Sequence, residues 1–88
     1  MEQNDDLFRF PCDFPIKAIG QHRPDLDVIV FGIVRSHAPD VGEAAVKIRE
    51  STGGRYASVT VNIRATSRAQ LDAIYRDLTA SEHILMVL

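Results

Sequence analysis

The run that begins at Gly20 is the part of the sequence whose residue types could hold a ligand. Gly20 permits a close approach of the backbone, and Pro24 suits the first turn of a helix, where its missing N–H costs nothing. The free N–H groups at the start of a helix attract carboxylate or phosphate groups. The sequence therefore predicts a ligand site in a strand-to-helix connection formed by Gly20, Gln21, His22, Arg23 and Pro24.

Side chains that could carry out catalysis are sparse. Arg23 and Asn62 invite comparison with small acylphosphatases, which hold a phosphoryl group with a loop arginine and an asparagine. The pattern departs from theirs, because Arg23 precedes a proline and Asn62 falls within a predicted strand. The three histidines (His22, His37 and His83) fall on separate elements, without the spacing of a metal site or an acid–base pair. We therefore predict no catalytic residue, no metal site and no cofactor.

A second candidate site is a polar, locally basic face of the predicted sheet. Strand alternation places on it Lys17, Ile19, Lys47, Arg49, Tyr56, Ser58, Thr60, Asn62 and Arg64. RNA-binding sheets stack bases on paired aromatic residues, whereas Tyr56 is alone here. A basic patch without stacking residues attracts nucleic acid only weakly and in a salt-sensitive way. RNA binding is thus the disfavoured alternative, and the face is otherwise solvated or a subunit interface.

The composition is that of an ordinary globular domain. The 88 residues suffice for one domain, and 45% hydrophobic with 25% charged residues is typical usage. A net charge of −2 gives no overall bias toward nucleic acid or anionic membranes. Cys12 is the only cysteine, which excludes an internal disulfide. The apolar runs are too short for a membrane span, and the N-terminus lacks signal-peptide features, so we expect a cytoplasmic protein.

The first half of the chain predicts a strand and a helix. Alternation favours a strand over Phe14–Gln21. Leu26, Ile29, Val30, Ile33, Val34 and His37 recur at helical spacing, and Pro39 ends the helix. Val28 and Phe31 fall outside this apolar stripe. They are expected to be scattered surface hydrophobic residues or to form a contact with another subunit. Residues 1–13 are expected to be a flexible segment whose phenylalanines cover an edge of the core, and residues 14–88 a single domain.

The second half predicts a hairpin, a helix and a final strand. Gly53 and Gly54 form the turn between strands over Glu43–Thr52 and Arg55–Ala65. Counting outward from the turn sets Ile48 opposite Val59, Val46 opposite Val61, Lys47 opposite Thr60 and Arg49 opposite Ser58. Thr66 or Ser67 caps a helix with the stripe Leu71, Ile74, Tyr75 and Leu78. Residues 82–88 read as a strand that is buried on both faces or meets another chain.

The resulting order, βαββαβ, predicts an α+β fold of the ferredoxin-like type, with two helices on one face of a four-stranded antiparallel sheet. Gly20, Arg23, Pro24 and Leu26 resemble the first loop of ACT domains, regulatory modules that bind amino acids and dimerise. His22 and Asp25 replace an aspartate and a glycine of that pattern. A small-molecule ligand and a homodimer are what this resemblance implies.

A second resemblance covers essentially the whole chain. It rests on Phe10-Pro11, Phe14-Pro15, Lys17, Gly20-Gln21, His37-Ala38-Pro39, Gly54, Tyr56, Ser58–Val61, Ala65-Thr66 and Ile84–Leu88. By these residues the chain is identified as a member of the YbeD-like family of small bacterial proteins, with an ACT-like fold. Gene neighbourhood associates some relatives with lipoate metabolism, which implies a context and no site residue. We therefore expect a non-catalytic regulatory or interaction module, whose partner is a protein, a small molecule or a second copy.

Overall fold

The computed structural model describes residues 9–88, which form two helices and a four-stranded sheet. The elements are β1 (Cys12–Gln21), α1 (Leu26–His37), β2 (Val46–Glu50), β3 (Tyr56–Ala65), α2 (Arg68–Ala80) and β4 (Met86–Val87), with a 3-10 turn at Glu43–Ala45 before β2. The sheet order is β2-β3-β1-β4, and every neighbouring pair is antiparallel. The predicted ferredoxin-like βαββαβ fold is confirmed.

The core lies between one face of the sheet and the two helices. Alternate residues of β3 are buried, from Ala57 through Val59, Val61 and Ile63 to Ala65. They pair with the inward residues of β1 and meet the predicted helix stripes, of which Leu26, Val30, Val34, Leu71, Ile74 and Leu78 are buried. Both helices of residues 9–88 lie on this face, and the intervening strand residues point to the opposite face of the sheet.

The hairpin register agrees with the prediction. Val46 pairs with Val61, Lys47 with Thr60, Ile48 with Val59 and Arg49 with Ser58. Gly53 and Gly54 both adopt positive φ, at 89° and 71°, which glycine tolerates without strain. The register is therefore that of a turn centred on the two glycines.

Several predicted boundaries were wrong, including the end of β2 at Glu50 instead of Thr52 and the start of β3 at Tyr56 instead of Arg55. The helix α1 begins at Leu26, two residues after Pro24, and β1 begins at Cys12, so Cys12 and Asp13 belong to the sheet. Residues 43–45 form the 3-10 turn instead of extending β2. The other residues predicted to be flexible lie mostly outside the described part of the chain. Phe10, predicted to cover an edge of the core, does pack against it.

The final strand also differs from the prediction. Regular pairing with β1 is limited to Met86 and Val87, and Leu85, Met86 and Leu88 are exposed. The prediction of a strand buried on both faces is thus wrong. Tyr75 of α2 holds the end of this segment, because its hydroxyl donates to the main-chain oxygen of Leu88 at 3.1 Å. Burial raises the pKa of Tyr75 above its ordinary value.

Neither helix of the described residues has the length and apolar character that crossing a bilayer requires.

Candidate functional site

The helix-free surface of the sheet, called the open face below, brings together the residues predicted for it. Register places Lys17 and Ile19 of β1 beside Thr60 and Ser58 of β3, and Lys47 and Arg49 of β2 on the other side of the same two residues. Tyr56, Asn62 and Arg64 of β3 complete the set, and Met86 and Leu88 extend it at the β4 edge. The predicted interface residues Lys47, Arg49, Ser58, Thr60, Asn62 and Arg64 therefore share one surface.

Two apolar residues of the open face, Met86 and Leu88, were missed by the sequence prediction. Met86 pairs with Ile19, and Leu88 exchanges main-chain hydrogen bonds with Lys17 at 2.8 and 3.3 Å, so both side chains share the face of those residues. Met86 is 54% exposed and Leu88 is 58% exposed. The run Ile84–Leu88 is continuously apolar, and a run without alternation does not reveal which of its residues face water.

The charge on the open face is positive although the whole chain is acidic. Lys17, Lys47 and Arg49 form no ion pair among residues 9–88, whereas Arg64 is paired with Asp13 at 3.2 Å across the β1–β3 ladder. Glu50 lies on the opposite face and pairs with Nε2 of His22 at 3.2 Å. Among residues 9–88, three cations of the open face thus lack an ion-pair partner while the chain carries a net charge of −2. Lys17 adjoins the apolar patch of Ile19, Met86 and Leu88, and Lys47 and Arg49 lie to one side of the patch, across β3.

A shallow depression of about 190 Å³ lies on the open face toward the hairpin turn. Its lining includes Lys17, Ile19, Arg49, Tyr56 and Ser58. The depression is small beside the few hundred Å³ of ordinary small-molecule pockets. Its size fits one side chain of a docked protein better than a whole metabolite.

Gly20 serves the packing of the sheet instead of a turn. It lies in β1, paired with Ala57, and its φ is not positive. A Cβ placed on it would stand 2.3 Å from the main-chain oxygen of His83 and 3.2 Å from Cδ1 of Leu26. Gly20 thus lets the segment before β4 lie directly against β1, where the N–H of Leu85 donates to the oxygen of Ile19 at 2.7 Å.

Arg23, another residue of the predicted ligand loop, is engaged within the protein. Its Nε donates to Oδ1 of Asp25 at 2.5 Å, and its Nη1 donates to Nδ1 of His83 at 2.8 Å. Arg23 therefore joins the start of α1 to the segment before β4. Its guanidinium group already binds the carboxylate of Asp25. Ligand binding by Gly20, Gln21, His22, Arg23 and Pro24 stays a prediction.

The contact with Arg23 also shifts the titration of Asp25. The hydrogen bond from Arg23, supported by its charge, lowers the pKa of Asp25 below the ordinary value of 3.8. The folded state thus keeps Asp25 ionised where the unfolded chain binds a proton. The pair stabilises the fold above the unfolded-state pKa, and this contribution is lost as pH falls through the folded-state pKa.

We expect Arg23→Ala to raise the pKa of Asp25 toward 3.8, because the substitution removes the largest cause of its lowering. A carboxyl-carbon NMR titration of Asp25 measures the change. Arg76→Ala, an exposed substitution on α2, removes the same charge elsewhere and is the control. An unchanged Asp25 titration in Arg23→Ala would show that the pair does not form in solution.

The acylphosphatase comparison fails in the structure as well. Arg23 follows the Gln21–Tyr56 end of the β1–β3 ladder, whereas Asn62 pairs with Pro15 six residues further along β3. At about 3.3 Å per residue this separates the two positions by roughly 20 Å. Within residues 9–88, His37 contacts Asp77 at 2.6 Å between the helices, and no three metal-ligating side chains converge.

Comparison with known proteins places the chain in a family. A family model described as "Protein of unknown function (DUF493)" matches residues 5–88. A UPF0250 protein of Chromobacterium violaceum is 45% identical over 87 residues, covering 99% of this chain and 98% of the relative. A UPF0250 protein of Paraburkholderia phytofirmans is 46% identical over 85 residues, covering 97% and 96%. None of these descriptions names a catalytic activity.

A solved structure supports the fold. The solution structure of protein HP0495 from H. pylori superposes with a TM-score of 0.70 at 11% sequence identity, covering 92% of this chain and 85% of that chain. At that identity the likeness concerns the fold alone. The family model and the near full-length sequence matches confirm the YbeD-like resemblance and show that the chain belongs to the DUF493 (UPF0250) family of small bacterial proteins.

Proposed function

We propose that the protein is a non-catalytic interaction module that binds a protein partner through its open face. The observation that carries the proposal is that one surface combines the exposed apolar patch of Ile19, Met86 and Leu88 with the cations Lys17, Lys47 and Arg49 on its β1 and β2 side. Protein interfaces combine a desolvated apolar centre with a polar rim. The open face offers both parts, with exposed apolar side chains toward the β4 edge and polar and charged ones toward β2.

The charges of the open face favour an acidic partner over a second copy of the same face. Two open faces aligned strand over like strand would set Lys17, Lys47 and Arg49 against the same cations, and such like-charge contacts cost several kcal/mol. An acidic surface would instead gain from the three cations and associate faster at low salt. The partner we propose is therefore a different protein that presents carboxylates beside an apolar contact.

The test uses a partner captured from the native host and then purified. We expect Arg49→Glu to weaken its binding at least about tenfold, as expected for a reversed charge in an interface. The matched control Arg76→Glu, which reverses a charge on the exposed side of α2, should leave the affinity unchanged. Titration calorimetry gives both affinities.

NMR shift mapping of the wild-type protein with the purified partner locates the surface without any substitution. Shifts should centre on Ile19, Ser58, Thr60 and Met86. Shifts centred on α1 and α2, or equal binding by Arg49→Glu and wild type, would reject the open face. Capture of nuclease-sensitive material in place of a protein would favour the RNA-binding alternative.

A further inference from the structure

The outer edge of β2 exposes main-chain groups that can pair with another strand. The N–H of Ser51 donates to the oxygen of Tyr56, which makes this a hydrogen-bonded pair of the hairpin. In an antiparallel ladder hydrogen-bonded pairs alternate with non-hydrogen-bonded pairs. The main-chain groups of Arg49 and Lys47 therefore also bond to β3, whereas the N–H and C=O of Ile48 point away from it, toward the outer edge. Among residues 9–88 no further strand lies on that side.

An apolar groove runs beside this edge on the helix side of the sheet. The edge groove is lined by Val28 and Phe31 of α1 and by Val46 and Ile48 of β2, with Asp27 and Glu43 as its charged lining residues, and it encloses about 420 Å³. Val28 is 66% exposed and Ile48 is 54% exposed. Ile48 points to the core face, since it pairs with buried Val59, yet the helices do not cover it.

We propose that β2 and the edge groove accept an extended segment of another protein, in which apolar and acidic residues alternate, as an additional strand of the sheet. A residue added opposite Ile48 shares its face and would place an apolar side chain in the edge groove. Its two neighbours point to the open side, where Lys47 and Arg49 would contact acidic side chains. Because Asp27 and Glu43 line the groove, acidic residues are disfavoured on the groove side.

The charges of β2 disfavour a second copy as the occupant. If the β2 strands of two copies paired antiparallel, edge to edge, with Ile48 opposite Ile48, Lys47 of one copy would lie opposite Arg49 of the other. Centring the pair on Lys47 or on Arg49 sets that cation opposite itself. Like charges directly opposite are destabilising, and lysine on an edge strand is a common means of preventing edge-to-edge association. An acidic strand meets no such repulsion.

The inference extends the proposed interaction function to a second surface and is tested separately from it. The probe is a synthetic peptide of about ten residues, a usual upper length for a strand, in which valine and glutamate alternate. The comparison peptide has the same composition, with valines and glutamates in separate blocks. We expect the alternating peptide alone to slow exchange of the outward Ile48 amide hydrogen at least about tenfold, since pairing protects it from solvent.

A pair of matched variants locates the peptide. Val28→Asp places a charge in the edge groove and should weaken peptide binding at least about tenfold, whereas Leu85→Asp, at an exposed apolar residue by the opposite edge, should not. Equal binding of both peptides, protection at Val87 in place of Ile48, or concentration-dependent protection of Ile48 without peptide would overturn the inference. If the peptide fails while the open-face partner still binds, the proposed function stands and the strand addition is wrong.

Discussion

Gly20→Ala is expected to lower the free energy of unfolding by about 3 kcal/mol, the upper part of the range for overpacked sites. The added Cβ would stand 2.3 Å from the main-chain oxygen of His83, which a rotamer change cannot relieve because the neighbour is backbone. The segment before β4 must then move away from β1. At about 4–8 °C per kcal/mol for a domain of this size, Tm should fall by roughly 12–24 °C. Urea unfolding followed by circular dichroism measures the change.

Gly32→Ala makes the same substitution where there is room. Gly32 lies in α1, and a Cβ there meets nothing within 4 Å. Alanine is the better helix former, so this variant should be more stable by about 0.5–1 kcal/mol. Equal stability of Gly20→Ala and wild type would contradict the close packing between β1 and the segment that holds His83.

Gln70→Ala is expected to cost about 2 kcal/mol, because one side chain joins both helices to the end of β3. Its Nε2 donates to the main-chain oxygen of His37 at 2.9 Å, and its Oε1 accepts from the N–H of Thr66 at 2.8 Å. A net hydrogen bond contributes about 0.5–1.5 kcal/mol, and the contact between Oε1 and the Thr66 hydroxyl adds a weaker share. Alanine keeps the helix propensity, so the loss reports these bonds.

Two further variants separate the bonds made by Gln70. Gln70→Glu keeps an oxygen for Thr66 and removes the donor to His37, so its loss of stability should lie between those of wild type and Gln70→Ala. Gln21→Ala truncates an exposed glutamine of β1 and should stay within about 0.5 kcal/mol of wild type. Chemical unfolding of wild type and the three variants measures these differences in the free energy of unfolding. If Gln70→Ala is as stable as Gln21→Ala, the Gln70 contacts contribute nothing in solution.

Local patterns sufficed for the fold. The hairpin register followed from two glycines that tolerate positive φ, and in that alignment the apolar and polar sets separate without conflict. The start of α2 was also well signalled: Ser67 caps it by accepting from the N–H of Gln70 at 3.0 Å. The side chain of Gln70 reaches Thr66 instead of Ser67, one residue beyond a standard capping box.

Contacts between residues distant in the chain were beyond the sequence. The need for glycine at position 20 comes from the backbone of His83, and Arg23 is occupied by Asp25 and His83, which no spacing rule indicates. The open face was predicted in its polar members, because they alternate along the strands. Its members Met86 and Leu88 were missed, because every residue of Ile84–Leu88 is apolar. The exposure of Ile48 depends on where α1 crosses the sheet, which periodicity does not determine.

The position of β1 bears on how the protein is made. β1 is the first strand in the chain but a central strand of the sheet, with β3 and β4 as its neighbours. During translation β1 is made well before β3 and β4. Until they are made, the apolar side chains of Ile16 and Ala18 have no neighbouring strand in the sheet. Contacts between such distant segments form slowly, and exposed apolar strands are prone to aggregate meanwhile. Synthesis must therefore pass β3 before β1 gains its first neighbour in the sheet, so the central pairing of the sheet forms late.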